Sequence, residues 1–435
     1  MSLVRNSIFN FIVRLIAAAA AFVVSVVVAR VLGPEGKGIY SLAILVPSVL
    51  GLLSGMGLAS ANTYFAASKP KYTRYLAGNS LLMAIIFGAS AALLFILFLP
   101  LFRESLFENV PTFLLIAAAA STPLALMVRY FVTLLLGKGH TIWYNFITGL
   151  QPVYLAISMA VILLLLNGNT TAAVWTWISQ LILGMLLAIF ATALTLKQRW
   201  YISWKVLIRS LRYGIMGHFA YMIHFLNLRA DLLIVSGFMI TAAVGFYSVA
   251  ANITEMLWYL PTAIATMLLP KLSKMDIKES TILTNRVLRQ TFFYTIIGSL
   301  LFALITKPFI TFFYGAEFSP TIGAIYWLLP GIVIFSLTRV LFSAFAGQDK
   351  LKYNFWIALG ALAVNLSVNF ILIPRMGING AALASTISYA IATIISLSIY
   401  FWLTRTPLHQ VLIIRGSDFA EAYRSVLNIF KRNPK

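Results

Sequence analysis

Cysteine is absent from the 435 residues, which excludes disulfide scaffolds, thiolate metal sites and cysteine nucleophiles. Charge is scarce at 10% of residues, and acid is scarcer still, with 11 Asp and Glu against 32 Lys and Arg. Soluble domains carry about 25% charged residues, so this chain has too few to cover a water-facing surface. Zinc-protease helices and paired external carboxylates are missing, and Gly33 to Gly38 lacks the spacing of a phosphate-binding loop. No enzyme, cofactor or metal is therefore expected. What fills the sequence is apolar: 61% hydrophobic residues and a mean hydropathy of +0.93. At about 20 apolar residues per span, that suffices for about a dozen membrane helices with no remainder for a soluble catalytic domain. In such a chain the net charge of +21 reads as membrane topology and an anionic ligand, not nucleic acid.

Apolar runs bounded by Gly, Pro and charge predict an all-α polytopic membrane protein of about 12 transmembrane helices. They fall near 7–29, 39–65, 77–101, 111–136, 143–166, 172–196, 212–237, 242–268, 288–314, 321–346, 353–374 and 379–404. The first run follows a basic residue, as a signal peptide does, but Arg14 interrupts it and eleven runs follow; it is expected to remain as helix one. Arg5, Lys69, Lys71, Arg74, Lys138, the clusters Lys197 to Arg212 and Lys271 to Arg289, Lys350 and Lys352 fall in one set of loops and termini. The alternate loops hold only Arg30, Lys37, Arg103 and Arg375, so the positive-inside rule places both termini in the cytoplasm. In the tail, Asp418 and Glu421 have capping-box spacing, and Phe419, Tyr423, Leu427 and Phe430 share one face. That pattern predicts an amphipathic helix on the inner membrane surface.

The halves repeat. Gly38-Ile39-Tyr40-Ser41 returns as Gly245-Phe246-Tyr247-Ser248, Tyr144-Asn145-Phe146 as Tyr353-Asn354-Phe355, and Arg129 as Arg339, with each Arg eight residues before a Gly. The offsets stay between 207 and 210, which predicts two six-helix lobes. Six is even, so the lobes are parallel, around a central cavity as in transporters that rock two bundles about one site. The expected division is 1–197 for the first lobe, 198–211 for a cytoplasmic connector, 212–404 for the second lobe and 405–435 for the tail.

Ionisable groups at bilayer depth are costly and so are candidates for function. Asn6, Asn10 and Arg14 lie four apart on helix one and line either a wet cavity wall or a tight helix contact. Arg129 and Arg339 occupy equivalent repeat positions, and two guanidiniums from opposite lobes would suit phosphate oxygens; snorkelling to the cytoplasmic end is the alternative. On the seventh helix His218 falls within roughly 20° of Arg229, and His224 within roughly 20° of Asp231. Arg229, His218 and the three arginines are the candidate substrate-binding residues. Glu255, Asp231 and His224 are the candidates for ion or proton coupling, with structural pairing as the other reading. Gly51, Gly55 and Gly57 with Pro47 permit a bend or a close helix contact.

Three stretches carry a family resemblance: Val28-Ala29-Arg30-Val31-Leu32-Gly33-Pro34-Glu35-Gly36-Lys37-Gly38-Ile39-Tyr40; Asp231-Leu232-Leu233-Ile234 with Ala243 to Ala250 and Leu269-Pro270-Lys271-Leu272; and Asn369 to Pro374 with Gly377 to Ala384. They resemble the polysaccharide transporter, or O-antigen flippase-like, family of the multidrug/oligosaccharidyl-lipid/polysaccharide exporter superfamily. The resemblance implies two six-helix lobes around a V-shaped cavity in a bacterial-type inner membrane. The implied substrate is a polyprenyl-pyrophosphate-linked oligosaccharide moved from the inner to the outer leaflet by alternating access, for cell-surface polysaccharide biosynthesis. Membrane lipids and polysaccharide assembly enzymes are the other expected partners. A cation-coupled exporter of amphipathic small molecules is the rival, and Arg14, where drug antiporters carry an acid, argues against it.

Overall fold

The computed structural model describes residues 3–272, 275–416 and 418. These form α1 (Leu3–Ser54), α2 (Leu58–Ser68), α3 (Thr73–Leu106), α4 (Thr112–Ala120), α5 (Thr122–Gly137), α6 (Thr141–Ala160), α7 (Thr170–Leu196), α8 (Trp204–Phe238), α9 (Thr241–Met256), α10 (Tyr259–Leu272), α11 (Ile277–Phe313), α12 (Pro320–Gly347), α13 (Leu351–Met376), α14 (Ile378–Thr404) and the short α15 (His409–Leu412). Ten stretches of helix among the described residues are long and apolar enough to cross a membrane. The number differs from twelve for two physical reasons. α1 holds two expected spans without a loop: its 52 residues would reach about 78 Å if straight, over twice the hydrocarbon thickness. α9 and α10, in turn, divide the expected 242–268 span into pieces of 16 and 14 residues, each too short to count alone. The elements are thus consistent with twelve spans.

The corner in α1 is Gly33, whose φ of 66° is a conformation that side chains resist, followed by Pro34, which has no N–H to continue the ladder. The chain turns back on itself there. Lys37 Nζ lies 3.4 Å from Ser25 Oγ, whereas twelve residues of straight helix would separate those positions by about 18 Å. Expected in a loop, Lys37 is buried at 3% exposure, close to hydroxyls: Tyr314 donates to the same Ser25 oxygen at 3.2 Å. Arg30, also expected in a loop, donates from Nε to the Phe313 carbonyl at 2.9 Å and from Nη2 to that of Phe312. It satisfies the last carbonyls of α11, which have no partner within their own helix.

The second expected span breaks as well. α1 ends at Ser54 and α2 begins after Gly57, whose φ is 71°. A Cβ on Gly57 would sit 2.1 Å from the Gly214 carbonyl oxygen, and one on Gly214 2.3 Å from that of Gly57. Both functions open to the glycine stretch, a bend and a close helix contact, are therefore in use. The 111–136 span likewise divides into α4 and α5 at Ser121, before Pro123.

The chain separates into two compact units, Met1–Val249 with Phe309–Thr321 and Ile373–Ile378, and Ala250–Pro308 with Ile322–Leu372 and Asn379–Lys435. The core of the first includes Leu58, Phe65, Leu76, Tyr130, Phe131 and Ile147, and a second cluster around Val28, Tyr40, Leu114 and Met159. Within it, equivalent positions of the sequence repeat meet reciprocally. A Cβ on Gly38 would lie 2.0 Å from the Thr241 carbonyl oxygen, and one on Gly245 2.1 Å from that of Pro34. Ser41 donates to Ser248, 207 residues on, at 3.1 Å. Such self-complementary pairing marks a local two-fold axis. Helix ends keep the same offset: α3 and α11 end at Leu106 and Phe313, α5 and α12 at Gly137 and Gly347. α8 begins at Trp204, inside the 198–211 stretch expected as connector.

In the second unit the Asp418 carboxylate receives Arg289 Nε at 2.7 Å and Nη2 at 2.8 Å, and the Arg415 N–H at 2.9 Å. The amphipathic tail face at Phe419, Tyr423, Leu427 and Phe430 lies outside the described residues. Hydrogen bonding from Arg289 holds the Asp418 carboxyl below its ordinary value of 3.8. A depressed carboxylate stabilises the fold above its unfolded value and loses that contribution as pH falls through the folded one. The protection factors of the amides at residues 409–416, with exchange corrected for its intrinsic pH dependence, are therefore expected to hold from neutral pH and to fall only in acid below the ordinary carboxylate range. Asp418→Asn should show the lowered protection already at pH 7.

Candidate functional site

The site is assembled from the broken second span, α5 and α8. Gly55, Gly57, Ala59, Ser60, Arg129, Gly217, His218 and Tyr221 enclose a cavity of about 80 Å³. That is room for two or three waters at about 30 Å³ each, or for a phosphoryl group, and not for a sugar. The glycines explain its existence: with no side chains at 55, 57 and 217, backbone approaches closely and leaves a polar hollow in place of packed methyl groups.

Arg129 is carried on α5, which is fixed from behind. Tyr130 is fully buried and donates to the Gly55 carbonyl at 3.0 Å, an acceptor freed by the break in the helix. Asn62 donates to the Tyr130 carbonyl at 3.2 Å and to Ser80 at 2.8 Å. The Arg129 guanidinium lies over the Tyr221 ring, 4.6 Å from its centroid, a cation–π contact that orients the group and leaves its N–H donors open. His218 is 6% exposed, and its Nε2 has no hydrogen-bond partner among the described residues. Among the described residues no Asp or Glu lines the cavity. A half-buried guanidinium whose lining neighbours, among the described residues, include no carboxylate is a site for an anion: its charge and N–H donors await an acceptor.

Arg339, the repeat equivalent on α12, has other company. Its guanidinium stacks 4.1 Å from the Trp258 ring centroid and 5.7 Å from that of Phe335, and Nη1 donates to Thr262 at 3.0 Å. Glu255 is within electrostatic reach of it. The same residue type thus has different company in the two repeats: aromatic and glycine neighbours in one, aromatic rings and the field of Glu255 in the other.

Of the remaining candidates, Arg14 is exposed on α1. Arg229 is half-buried and donates to the Leu228 carbonyl at 3.0 Å. His224 is half-buried and does not line the cavity with His218. Asp231 is buried and accepts from the Tyr247 hydroxyl and the Leu232 N–H. The structure therefore joins Arg129 with His218 and leaves Arg229, Asp231 and His224 farther along α8. Sequence reasoning missed Lys37 as a buried cation, because a Gly- and Pro-rich stretch reads as a loop; the repeat match beginning at Gly38 was the one signal that its surroundings are packed.

The profile of a family described as "Polysaccharide biosynthesis protein" matches residues 27–323, which include Arg129, His218 and all the glycines of the cavity. The chain belongs to this family. A relative from Shigella flexneri, named as an O-antigen transporter, is 24% identical over 423 residues, covering 93% of the chain and 98% of the relative. A shorter match, 31% identical over 146 residues, covers 33% of the chain and 34% of an uncharacterized membrane protein of Methanocaldococcus jannaschii. Among solved structures, a lipid II flippase in an inward closed conformation has the same fold, with a TM-score of 0.75 at 16% identity over 99% of the chain and 93% of that protein. The family chain is accordingly a multi-pass membrane protein of the transporter type.

Proposed function

We propose that the chain is a lipid-linked oligosaccharide flippase of the bacterial inner membrane, moving a polyprenyl-pyrophosphate glycan from the inner to the outer leaflet by alternating access. The observation that carries this reading is the cavity that holds Arg129 and has no Asp or Glu among its described lining residues. A cation exporter needs an uncompensated carboxylate at its site, whereas this one offers donors and positive charge. Its volume suits a phosphoryl group, so the glycan would occupy a wider aqueous space while the prenyl tail remains in lipid. Arg129 holds the diphosphate in this reading, with Arg14 and Arg229 of the same unit as lesser candidates, while Arg339 of the second unit is a separate candidate substrate contact. Glu255, Asp231 and His224 are its coupling groups. Both termini face the cytoplasm, where assembly enzymes deliver the substrate.

The test is reconstitution. Purified protein in liposomes, given a fluorophore-labelled polyprenyl-pyrophosphate oligosaccharide in both leaflets, is expected to render nearly all of the fluorescence quenchable by an impermeant reductant, against half in protein-free vesicles. If the lipid stays half-protected while the same vesicles accumulate a cationic amphiphile, the flippase reading is overturned and the exporter takes its place.

A further inference from the structure

A larger basic groove lies elsewhere in the first unit. Lys71, Arg74, Lys138 and Arg199, with Gln198 and Tyr201, line an open concavity of about 610 Å³, within the usual range of about 300–1,000 Å³ for small-molecule sites. The four cations come from three separate junctions, α2 to α3, α5 to α6 and α7 to α8. The positive-inside rule accounts for basic residues at these junctions, all on one side of the membrane. It does not account for their meeting in one hollow that no Asp or Glu lines among the described residues, where their mutual repulsion has to be held by the fold or relieved by an anion.

The fold holds it. Between α7 and α8 the chain is pinned against α3: Asn79, 2% exposed, donates to the Ser203 carbonyl at 3.1 Å and accepts the Ser203 N–H at 3.0 Å. The Tyr201 N–H donates to the Arg74 carbonyl at 3.2 Å, and a Cβ on Gly78 would lie 2.4 Å from the Tyr201 carbonyl oxygen. Trp200 packs on buried Phe131 with ring centroids 5.3 Å apart. Arg199 thus directly precedes a run of anchored residues. Arg74 is fixed too: it donates to the Tyr75 hydroxyl at 2.7 Å and lies 4.7 Å and 5.6 Å from the Tyr75 and Tyr201 ring centroids. A guanidinium held like that of Arg74 loses less freedom on binding, and its fork matches phosphate oxygens.

The geometry points to a second anion site, at this groove, that takes a pyrophosphate group. Four cations outmatch the single charge of a phosphodiester headgroup and suit the two or three charges of a diphosphate. The group arrives either on a polyprenyl lipid or on a soluble diphosphate. The first source rests on the flippase reading, and the second does not. On the lipid, the groove would capture the headgroup at the membrane surface before the Arg129 cavity receives it.

Two probes distinguish these cases, with the full chain in zwitterionic-lipid nanodiscs: inorganic pyrophosphate by thermophoresis, and polyprenyl pyrophosphate by native mass spectrometry. Wild type is expected to bind both, and K71Q/R74Q/K138Q/R199Q to lose at least tenfold in affinity for inorganic pyrophosphate and at least one bound lipid per protein. Arg199→Glu, a single change at an exposed side chain, covers failure of the quadruple variant to fold and should lose about fivefold or more. Binding of inorganic pyrophosphate alone, abolished by the groove variants, upholds the site with a soluble source and counts against the flippase reading. Equal binding by wild type and both groove variants, or no binding of either probe to wild type, overturns the site.

Discussion

Arg129→Ala will abolish flipping of a pyrophosphate-linked lipid. Removing one partner of a buried, hydrogen-bonded charge pair costs about 2–5 kcal/mol, or roughly 30- to several-thousand-fold in affinity, because the other charge is left without compensation. The guanidinium holds no protein carboxylate, and its contact with Tyr221 is worth about 0.5–1 kcal/mol, so the variant should fold with nearly wild-type thermal stability. Loss of transport at preserved stability is the signature expected. Arg129→Lys keeps the charge but not the planar fork or the stacking on Tyr221 and should recover a minor part of the activity. Initial flipping rates at subsaturating lipid, set beside unfolding temperatures in detergent, measure both. Wild-type rates in Arg129→Ala would remove the cavity from the mechanism.

The second large effect is on the fold. At Gly57 a methyl group would meet the Gly214 carbonyl oxygen, carbon and Cα at 2.1, 2.3 and 2.7 Å. All three are backbone atoms, so no flexible side chain can swing away. Overpacking of this kind costs about 1–3 kcal/mol, and the left-handed backbone at Gly57 adds about 1–2 kcal/mol for any other residue. Gly57→Ala is therefore expected to lower the unfolding temperature by about 2–5 °C. Gly214→Ala should do slightly less, since it has the clash without the positive φ. The double variant should fall short of the sum, because one separation of α2 from α8 relieves both clashes. Gly217→Ala is the control: nothing lies within 4 Å of the place its methyl group would take, and stability should be unchanged.

Hydropathy made the spans legible because a bilayer imposes a length on every helix, and offsets near 207 made the repeat legible because equivalent residues face equivalent neighbours. Arg129 and His218 could be named as candidates because ionisable groups are rare in apolar runs. Their meeting could not be read, since it depends on the break at Gly55 to Gly57 turning α2 toward α8, a backbone event with no side-chain pattern. Glu255 kept two readings in the sequence because charge pairing between helices has no fixed spacing. The groove was half legible: Lys71, Arg74, Lys138 and the 197–212 cluster were assigned to one side, while their convergence rests on Asn79, a residue that hydropathy passes over as one polar side chain in an apolar helix.

The Gly33 corner bears on how the chain is mapped. Two spans joined at a corner without a hydrophilic segment leave no loop that could be extended without disturbing the packing around it. An epitope tag or reporter placed between them would wedge apart Gly36 and Thr170, Gly38 and Thr241. Its failure would report broken packing, not sidedness. Of residues 33–38 only Glu35 is exposed. In a chain with no native thiol, Glu35→Cys and a membrane-impermeant maleimide would read the side of the membrane there without an insertion.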